Sequence, residues 1–393
     1  MNQAQTLGDR LRDIRKRRGL TQRELADLSG VSVSLVTKLE QGERDDVRLE
    51  TAHKLASALR VPTTMLMVQP ERAEEAPPAT AADWQEVHKA LAGRIPHPDE
   101  EPSPSGTREA LQALSPALAS HQYSTVKEVL PKLLRDADAL APGPETRQIQ
   151  SSILNTTGYL LTQTRQFAIA ELTLLRAIDA AGEHRLDAAA AADTMLWLYL
   201  RQGRLAEARQ FAARWADETE PRFSRATVLE LILWGRFLLN MTNAAIRDNC
   251  PGEAEDALQL ATAAAARIGH EVRRHPNSQC VFGPVTVAYI RAESRVIMRQ
   301  PDLCLSIADS LPGEVPYPQL VSRLRHRLDI ANAKTMLRDY TEAFAILQEV
   351  RARAPEWLVQ QRYGRDILGR IIDRRRKLTP EMRNLADVMN IPL

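Results

Sequence analysis

An all-α fold is predicted for this chain: a small N-terminal helical domain, then a long array of helix pairs. Three observations predict it. Strand-type alternation of β-branched residues is absent, Ala, Leu, Arg and Glu dominate from Thr107 onward, and apolar residues recur at helical spacing from Leu7. The 393 residues suffice for two or three domains, and 44% apolar with 26% charged residues is ordinary for a globular protein. Lys plus Arg (52) nearly balance Asp plus Glu (50), so total charge imposes neither a nucleic-acid nor a membrane partner. The opening residues lack the apolar core of a secretory signal. The most apolar stretch, Val228 to Met241, is broken by Glu230 and Arg236 and is too short to span a bilayer. Cys250, Cys280 and Cys304 are too far apart for a metal clamp or a disulfide scaffold and suit a reducing compartment. The expectation is a cytoplasmic protein with no membrane partner.

The first 68 residues hold 12 basic and 9 acidic side chains, four of the basic ones in the run Arg15-Lys16-Arg17-Arg18, which reads as a solvated face. Leu7, Leu11 and Ile14 share a helix face that ends at Gly19. Thr21-Gln22-Arg23-Glu24 is a capping box, in which hydroxyl and carboxylate reciprocally satisfy orphan N–H groups. Gly30 supplies the left-handed residue of a tight turn. Ser32 caps a second short helix, Val33 to Gln41, that buries Val36 and Leu39, and a further amphipathic helix spans Leu49 to Leu59. Two short helices joined through a Gly turn make a helix-turn-helix.

The string LTQRELADLSGVSVSLVTKLEQGER resembles the phage-repressor type of helix-turn-helix domain over residues 7–68. The resemblance implies that the second helix enters the major groove of double-stranded DNA, with Val33, Ser34, Thr37 and Lys38 facing the bases. These four do share a helix face opposite Val36 and Leu39. Lys38 suits guanine O6/N7, Ser34 and Thr37 suit several base edges, and Val33 suits a thymine methyl. Gln22 and Ser32 match the family's phosphate-contacting positions, and Arg44 and Arg48 are further phosphate partners. Where many relatives carry long amide or Arg side chains, this chain has Val33 and Ser34, which shifts weight toward shape readout.

Residues 70–80 and 96–106, rich in Pro and charge, read as linkers, so the domains are drawn as 1–69, 70–106, 107–365 and 366–393. Within the linker, 83–95 is expected to form a short amphipathic helix on Trp84, Val87 and Leu91. Beyond it, an apolar residue precedes a small one by three at Tyr123/Val126, Phe167/Ala170, Leu205/Ala208, Ala254/Ala257, Leu303/Ser306 and Tyr340/Ala343. Residues 222–249 read as one long helix. The stretches LRQGRLAEARQFAARWA and LRDYTEAFAILQEVRARAP resemble tetratricopeptide repeats, although the spacing exceeds that family's 34-residue norm. A capping helix on Ile367, Leu368, Ile371 and Ile372 and a last helix from Thr379-Pro380 are expected to close the array, with Arg374 to Lys377 as an exposed helix end.

In a repeat array the first helix of each pair lines the concave face. Repeat position brings Asn155, Tyr159, Asp193, Trp197, Arg201, Arg291, Arg295 and Asn332 toward that groove, joined by Asn240, Asn243 and Arg247 where the phase is less regular. Asn both donates and accepts, as a peptide backbone requires. Arg291 and Arg295, one turn apart, suit a carboxylate, and Trp197 and Tyr159 offer apolar walls. No phosphate-loop, dinucleotide-loop, zinc-protease or nucleophile-elbow string is present, and His270 and His275 have only Glu271 beside them. Neither enzyme activity nor a cofactor or metal is expected.

As a whole the chain is similar in architecture to peptide-responsive quorum-sensing regulators and to actinobacterial regulators of that design. The resemblance implies a homodimer that reads a DNA operator of two half-sites under control of a peptide or small-molecule ligand. The alternative is a repeat domain that only dimerises the reader or recruits a protein.

Overall fold

The structure, a computed structural model, describes residues 6–44, 47, 49–61, 63–66, 84–96, 101–273, 281–312, 321–375 and 377–391. Arg48, residues 70–80, 97–100 and the expectations for His275, Cys280 and Arg376 fall outside them. The first four helices are α1 (Leu7–Arg17), α2 (Gln22–Ser29), α3 (Val33–Glu40) and α4 (Leu49–Leu59), followed by the single turn α5 (Thr63–Leu66). Their starts and stops are those the sequence signals. Thr21 and Glu24 form the reciprocal capping box of α2, Gly30 ends it at φ +66°, and the Ser32 hydroxyl accepts from the Leu35 N–H to start α3. Leu11, Leu25, Val36, Leu39, Leu55 and Leu59 are fully buried together. Gly8 permits this packing, because a Cβ there would lie 1.9 Å from the Leu39 carbonyl oxygen. Any larger residue would push α1 off α3.

Helix α6 (Gln85–Leu91) buries Trp84 and Val87 against α9. The array then runs α7 (Pro104–Ala113), α8 (Ser115–Ala119), α9 (Tyr123–Asp138), α10 (Pro144–Gln163), α11 (Phe167–Ala181), α12 (Arg185–Gln202), α13 (Leu205–Thr219), α14 (Val228–Arg247) and α15 (Pro251–Ile268). After it come α16 (Pro284–Ile297), α17 (Pro301–Asp309), α18 (Val321–Met336), α19 (Tyr340–Arg353), α20 (Pro355–Val359), α21 (Arg362–Ile372) and α22 (Pro380–Val388). The apolar residues picked out as second-helix starts fall on α9, α11, α13, α15, α17 and α19. Helix α14 begins at Val228 rather than Arg222, because Thr227 and Glu230 make a capping box there.

Two departures stand out. A short antiparallel pair, β1 (Val272–Arg273) with β2 (Val281–Phe282), stands among the helices of the described residues. Two paired residues per strand are too few to produce a readable alternation. The drawn boundary at 365/366 also cuts through α21, which starts at Arg362 and buries Gly364, so this helix belongs to the packed array.

From α7 to α21 each helix packs on the next, and the first helices α10, α12, α14, α16 and α18 also pack on one another in series, whereas the second helices do so only sparsely. A row touching on one side and splayed on the other must curve, with the first helices inside. Among the described residues no helix is long and apolar enough to cross a membrane. Cys304 is buried in an apolar cluster, which pushes its thiol up to about 12.

Candidate functional site

On α3 the side chains divide by face. Val36 and Leu39 are fully buried, whereas Val33, Ser34 and Lys38 are exposed and Thr37 is half-buried. The buried back of the helix is also held by charge. The Arg15 guanidinium donates through Nε and Nη2 to both oxygens of Glu40, at 2.6 and 2.7 Å, and the Gln22 amide adds a third donor at 2.9 Å. Thr37 Oγ1 in turn donates to Gln22 Oε1 at 3.1 Å. These hydrogen bonds outweigh the cost of burying Glu40 and hold its carboxyl below the usual range. Arg15 thus departs from the solvated run it belongs to, while Lys16, Arg17 and Arg18 are exposed. Gln22 spends its amide inside the domain, between Glu40 and Thr37. Ser32 and Arg44 are exposed.

The concave face of the array holds a cavity of about 230 Å³. Asn155, Tyr159, Asp193, Trp197, Arg201 and Asn243 line it, with Asn240 and Arg247. Tyr159 and Trp197 stack with ring centroids 5.5 Å apart, and the Arg201 guanidinium lies 5.5 Å from the Trp197 ring centre. The Asp193 carboxylate accepts from Asn240 at 2.7 Å and from Arg236 at 3.1 Å. Tyr159 accepts from Gln163 at 2.7 Å, and burial holds its hydroxyl well above the usual phenol range.

Three expected members lie elsewhere. Arg291 donates to Thr262 on α15 and Arg295 to Gln300, and neither lines the groove. In α16 the groove positions are Ile290 and Glu293. The expected phase misses Glu293 by two residues, about 200° at 3.6 residues per turn, which sends Arg291 and Arg295 to other sides of the helix. Asn332 is buried, donates to the Tyr363 hydroxyl at 2.8 Å, and lines a separate cavity facing the helix-turn-helix domain.

Sequence reasoning missed Glu293, Arg325 and Gln361. Buried Glu293 accepts from Arg247 and, at 3.4 Å, from Arg325, and the two guanidiniums keep its carboxyl below the usual range against strong desolvation. One signal could have found it. In α12 and α14 a groove residue directly follows a core residue, as in Ala192-Asp193, Leu196-Trp197 and Leu239-Asn240, and Ala292-Glu293 repeats that step.

Groove and N-terminal domain meet at Arg247. Its guanidinium faces Glu293, while its carbonyl accepts from Thr63 at 2.6 Å and His53 at 2.8 Å of the N-terminal domain. Asn249 donates to the Val61 carbonyl at 3.3 Å, and Arg370 lies 3.7 Å from Glu50.

Comparison with known proteins agrees with this division. Residues 11–66 match the helix-turn-helix family model. Over 88 residues the chain is 38% identical to the HTH-type transcriptional repressor RghR of Bacillus subtilis (strain 168), covering 22% of this chain and 57% of that protein. Over 60 residues it is 42% identical to the uncharacterized HTH-type transcriptional regulator RghRB of the same organism, covering 15% and 43%. The chain thus spans about half the length of these curated relatives. Among solved structures, Bacillus thuringiensis PlcR in complex with the peptide PapR7 and DNA aligns with 87% of this chain and 99% of its own, at 14% identity and a TM-score of 0.36. Residues 11–66 are a helix-turn-helix domain.

Proposed function

We propose that the chain is a sequence-specific DNA-binding transcriptional regulator of the cytoplasm, active as a homodimer on paired half-sites. Residues 1–69 are the reader, and the array from residue 107 forms a tetratricopeptide-like domain whose concave groove takes a small ligand or peptide. The exposed row Val33, Ser34 and Lys38, on a helix locked from behind by Arg15 and Glu40, carries the reading. Such a row leaves base-reading groups free while fixing the angle at which they enter a groove. Gln22, Ser32, Arg44 and Arg48 then bind phosphates. Fluorescence anisotropy on the DNA upstream of the protein's own gene tests it. Ser34→Ala and Lys38→Ala each weaken specific binding by about 1–3 kcal/mol for every base interaction removed. Unchanged affinity overturns the base-reading assignment.

For the groove, Asn155, Asn243 and the Tyr159–Trp197 stack supply a polar edge and an apolar wall, the usual composition of a ligand site. An extract of dense cultures is expected to shift operator affinity, and Trp197→Ala to abolish the shift. One observation favours a second reading, the array as a dimerisation scaffold: Leu172 and Leu175 on the outer helix α11 stand 63% and 51% exposed. If that reading holds, Leu172→Asp with Leu175→Asp dissociates the dimer in sedimentation, and groove variants change nothing.

A further inference from the structure

The helix-turn-helix domain does not sit flush on the array. Between them lies a chamber of about 660 Å³, a volume typical of small-molecule sites. Leu28 on α2 and His53 and Lys54 on α4 form one wall, and the array, from Arg201 to Met298 and Arg325, forms the other.

The chamber carries an excess of positive charge. Among the described residues seven cationic side chains and four carboxyl groups line it. Three of those carboxyls are already engaged by neighbours or disfavoured as anions by burial. Glu293 is held between Arg247 and Arg325. Glu50 serves Lys54 at 2.7 Å and Arg370 at 3.7 Å, and also feels Arg299. Burial and the neighbouring Glu293 push the Asp329 carboxyl well above its usual range, against Arg325 and a hydrogen bond from Tyr363. Asp366, the fourth, lies one helical turn beyond Arg362.

Arg201 is the cation that lines both this chamber and the groove with no carboxylate ion pair. Its Nη1 donates to the neutral Gln361 amide at 2.8 Å, its guanidinium lies 5.5 Å from the Trp197 ring centre, and no carboxylate among the described residues forms an ion pair with it. Burial, with Arg325 and Arg165 nearby, lowers its pKa to about 9. A half-buried cation without a carboxylate partner loses hydration that nothing repays in full, and an anion placed against it offsets that cost. The same chamber offers apolar surface, because Leu28 stands 63% and Met298 40% exposed.

We infer that this chamber is a binding site for a small organic anion, a carboxylate or phosphate on an apolar body. The acid group rests on Arg201, and the apolar body lies between Leu28 of the reader and Met298 of the array. The site adjoins the concave groove, with which it shares Arg201, Arg247 and Arg325, and is distinguished from it by Leu28, His53 and Lys54 of the N-terminal domain. Its occupant touches both domains, so it binds the docked arrangement preferentially and shifts the reader toward it.

The test uses the full chain and the fluorescent anion 8-anilinonaphthalene-1-sulfonate, with decanoate, decyl phosphate and decanol as competitors. The expected result is saturable binding of one probe per chain, displaced by decanoate or decyl phosphate and not by decanol. The stronger of the two anions tells carboxylate from phosphate. Arg201→Gln weakens probe affinity about tenfold or more, the worth of one charge-assisted hydrogen bond. That variant removes a strained charge, so its melting temperature is unchanged or higher. Leu28→Asp, at an exposed position, weakens the probe comparably, and Asn155→Ala in the groove leaves it within about twofold. The inference is overturned by absence of saturable binding, by displacement with decanol as effective as with decanoate, or by Arg201→Gln having no effect. It is also overturned if Asn155→Ala weakens the probe while Leu28→Asp does not, because the anion would then occupy the groove.

Discussion

The N-terminal domain and the array are both bundles of short helices, yet their working surfaces are specified in different ways. On the helix-turn-helix every important position is tied to a feature a few residues away. Thr21 and Glu24 start α2, Gly30 turns the chain, and Ser32 starts α3, so Val33, Ser34 and Lys38 fall on the outer face. The groove of the array draws instead on helices from α10 to α18, and what each contributes depends on its rotation against its neighbours. Local chemistry fixes a start; only packing fixes a phase.

The two regions also hold their surfaces with buried ion pairs of different kind, and breaking these measures the contrast. Glu293 is shared by two guanidiniums and is nearly fully buried. Glu293→Ala strands both charges and is expected to cost about 3–5 kcal/mol in urea unfolding of the full chain. A loss below about 1 kcal/mol would mean that solvent already screens Arg247 and Arg325. Arg15→Ala is milder, because Glu40 keeps the Gln22 amide at 2.9 Å. It should cost about 1.5–3 kcal/mol, the worth of a hydrogen-bonded charge. DNA affinity should fall with it, since α3 loses its backing. If stability drops and affinity does not, the pair supports the fold and not the reading angle.

Gly30 gives a smaller and purely conformational effect. At φ +66° with open space around it, Gly30→Ala meets no clash and shows only the left-handed backbone cost, about 1–2 kcal/mol. Gly30→Asn should recover part of that. If both variants match the parent, the turn is not what sets α2 against α3.

The same contrast explains what is legible in the sequence. The reader's helices, caps and exposed face are legible because each rests on neighbouring residues. In the array the second-helix starts at Phe167, Leu205 and Tyr340 are legible for the same reason. Arg291 and Arg295 fall outside the groove because α16 presents Ile290 and Glu293 to it instead, and each Arg bonds elsewhere. Asn332 does point inward, as its repeat position implies, but the cavity it meets is one the docked reader helps to form. The Arg15–Glu40 pair spans 25 residues and is invisible within a basic run. The uncompensated charge of Arg201 emerges only where both domains enclose the chamber.

The seam between the two regions yields the smallest expected effect, and the one that tests whether they act on each other. His53 of α4 bonds through Nδ1 to the Arg247 carbonyl at 2.8 Å, and since a carbonyl only accepts, Nδ1 carries the proton. Burial lowers its pKa below the ordinary 6.5, Arg247 lowers it further, and the Arg247 carbonyl bond with Asp248 and Glu50 opposes. A reader released from the array would return His53 to water and to a pKa near 6.5. Below that pH the released form binds more protons than the docked one, so docking is fully favoured above about 6.5 and weakens as pH falls below it. Hydrogen exchange of the α4 amides between pH 8 and 5.5, corrected for intrinsic rates, should show protection falling on acidification. His53→Gln, whose amide can donate to the same carbonyl without titrating, should flatten that dependence. Protection that rises in acid would show that Asp248 and Glu50 outweigh burial, and that acid tightens the hold of the array on the reader.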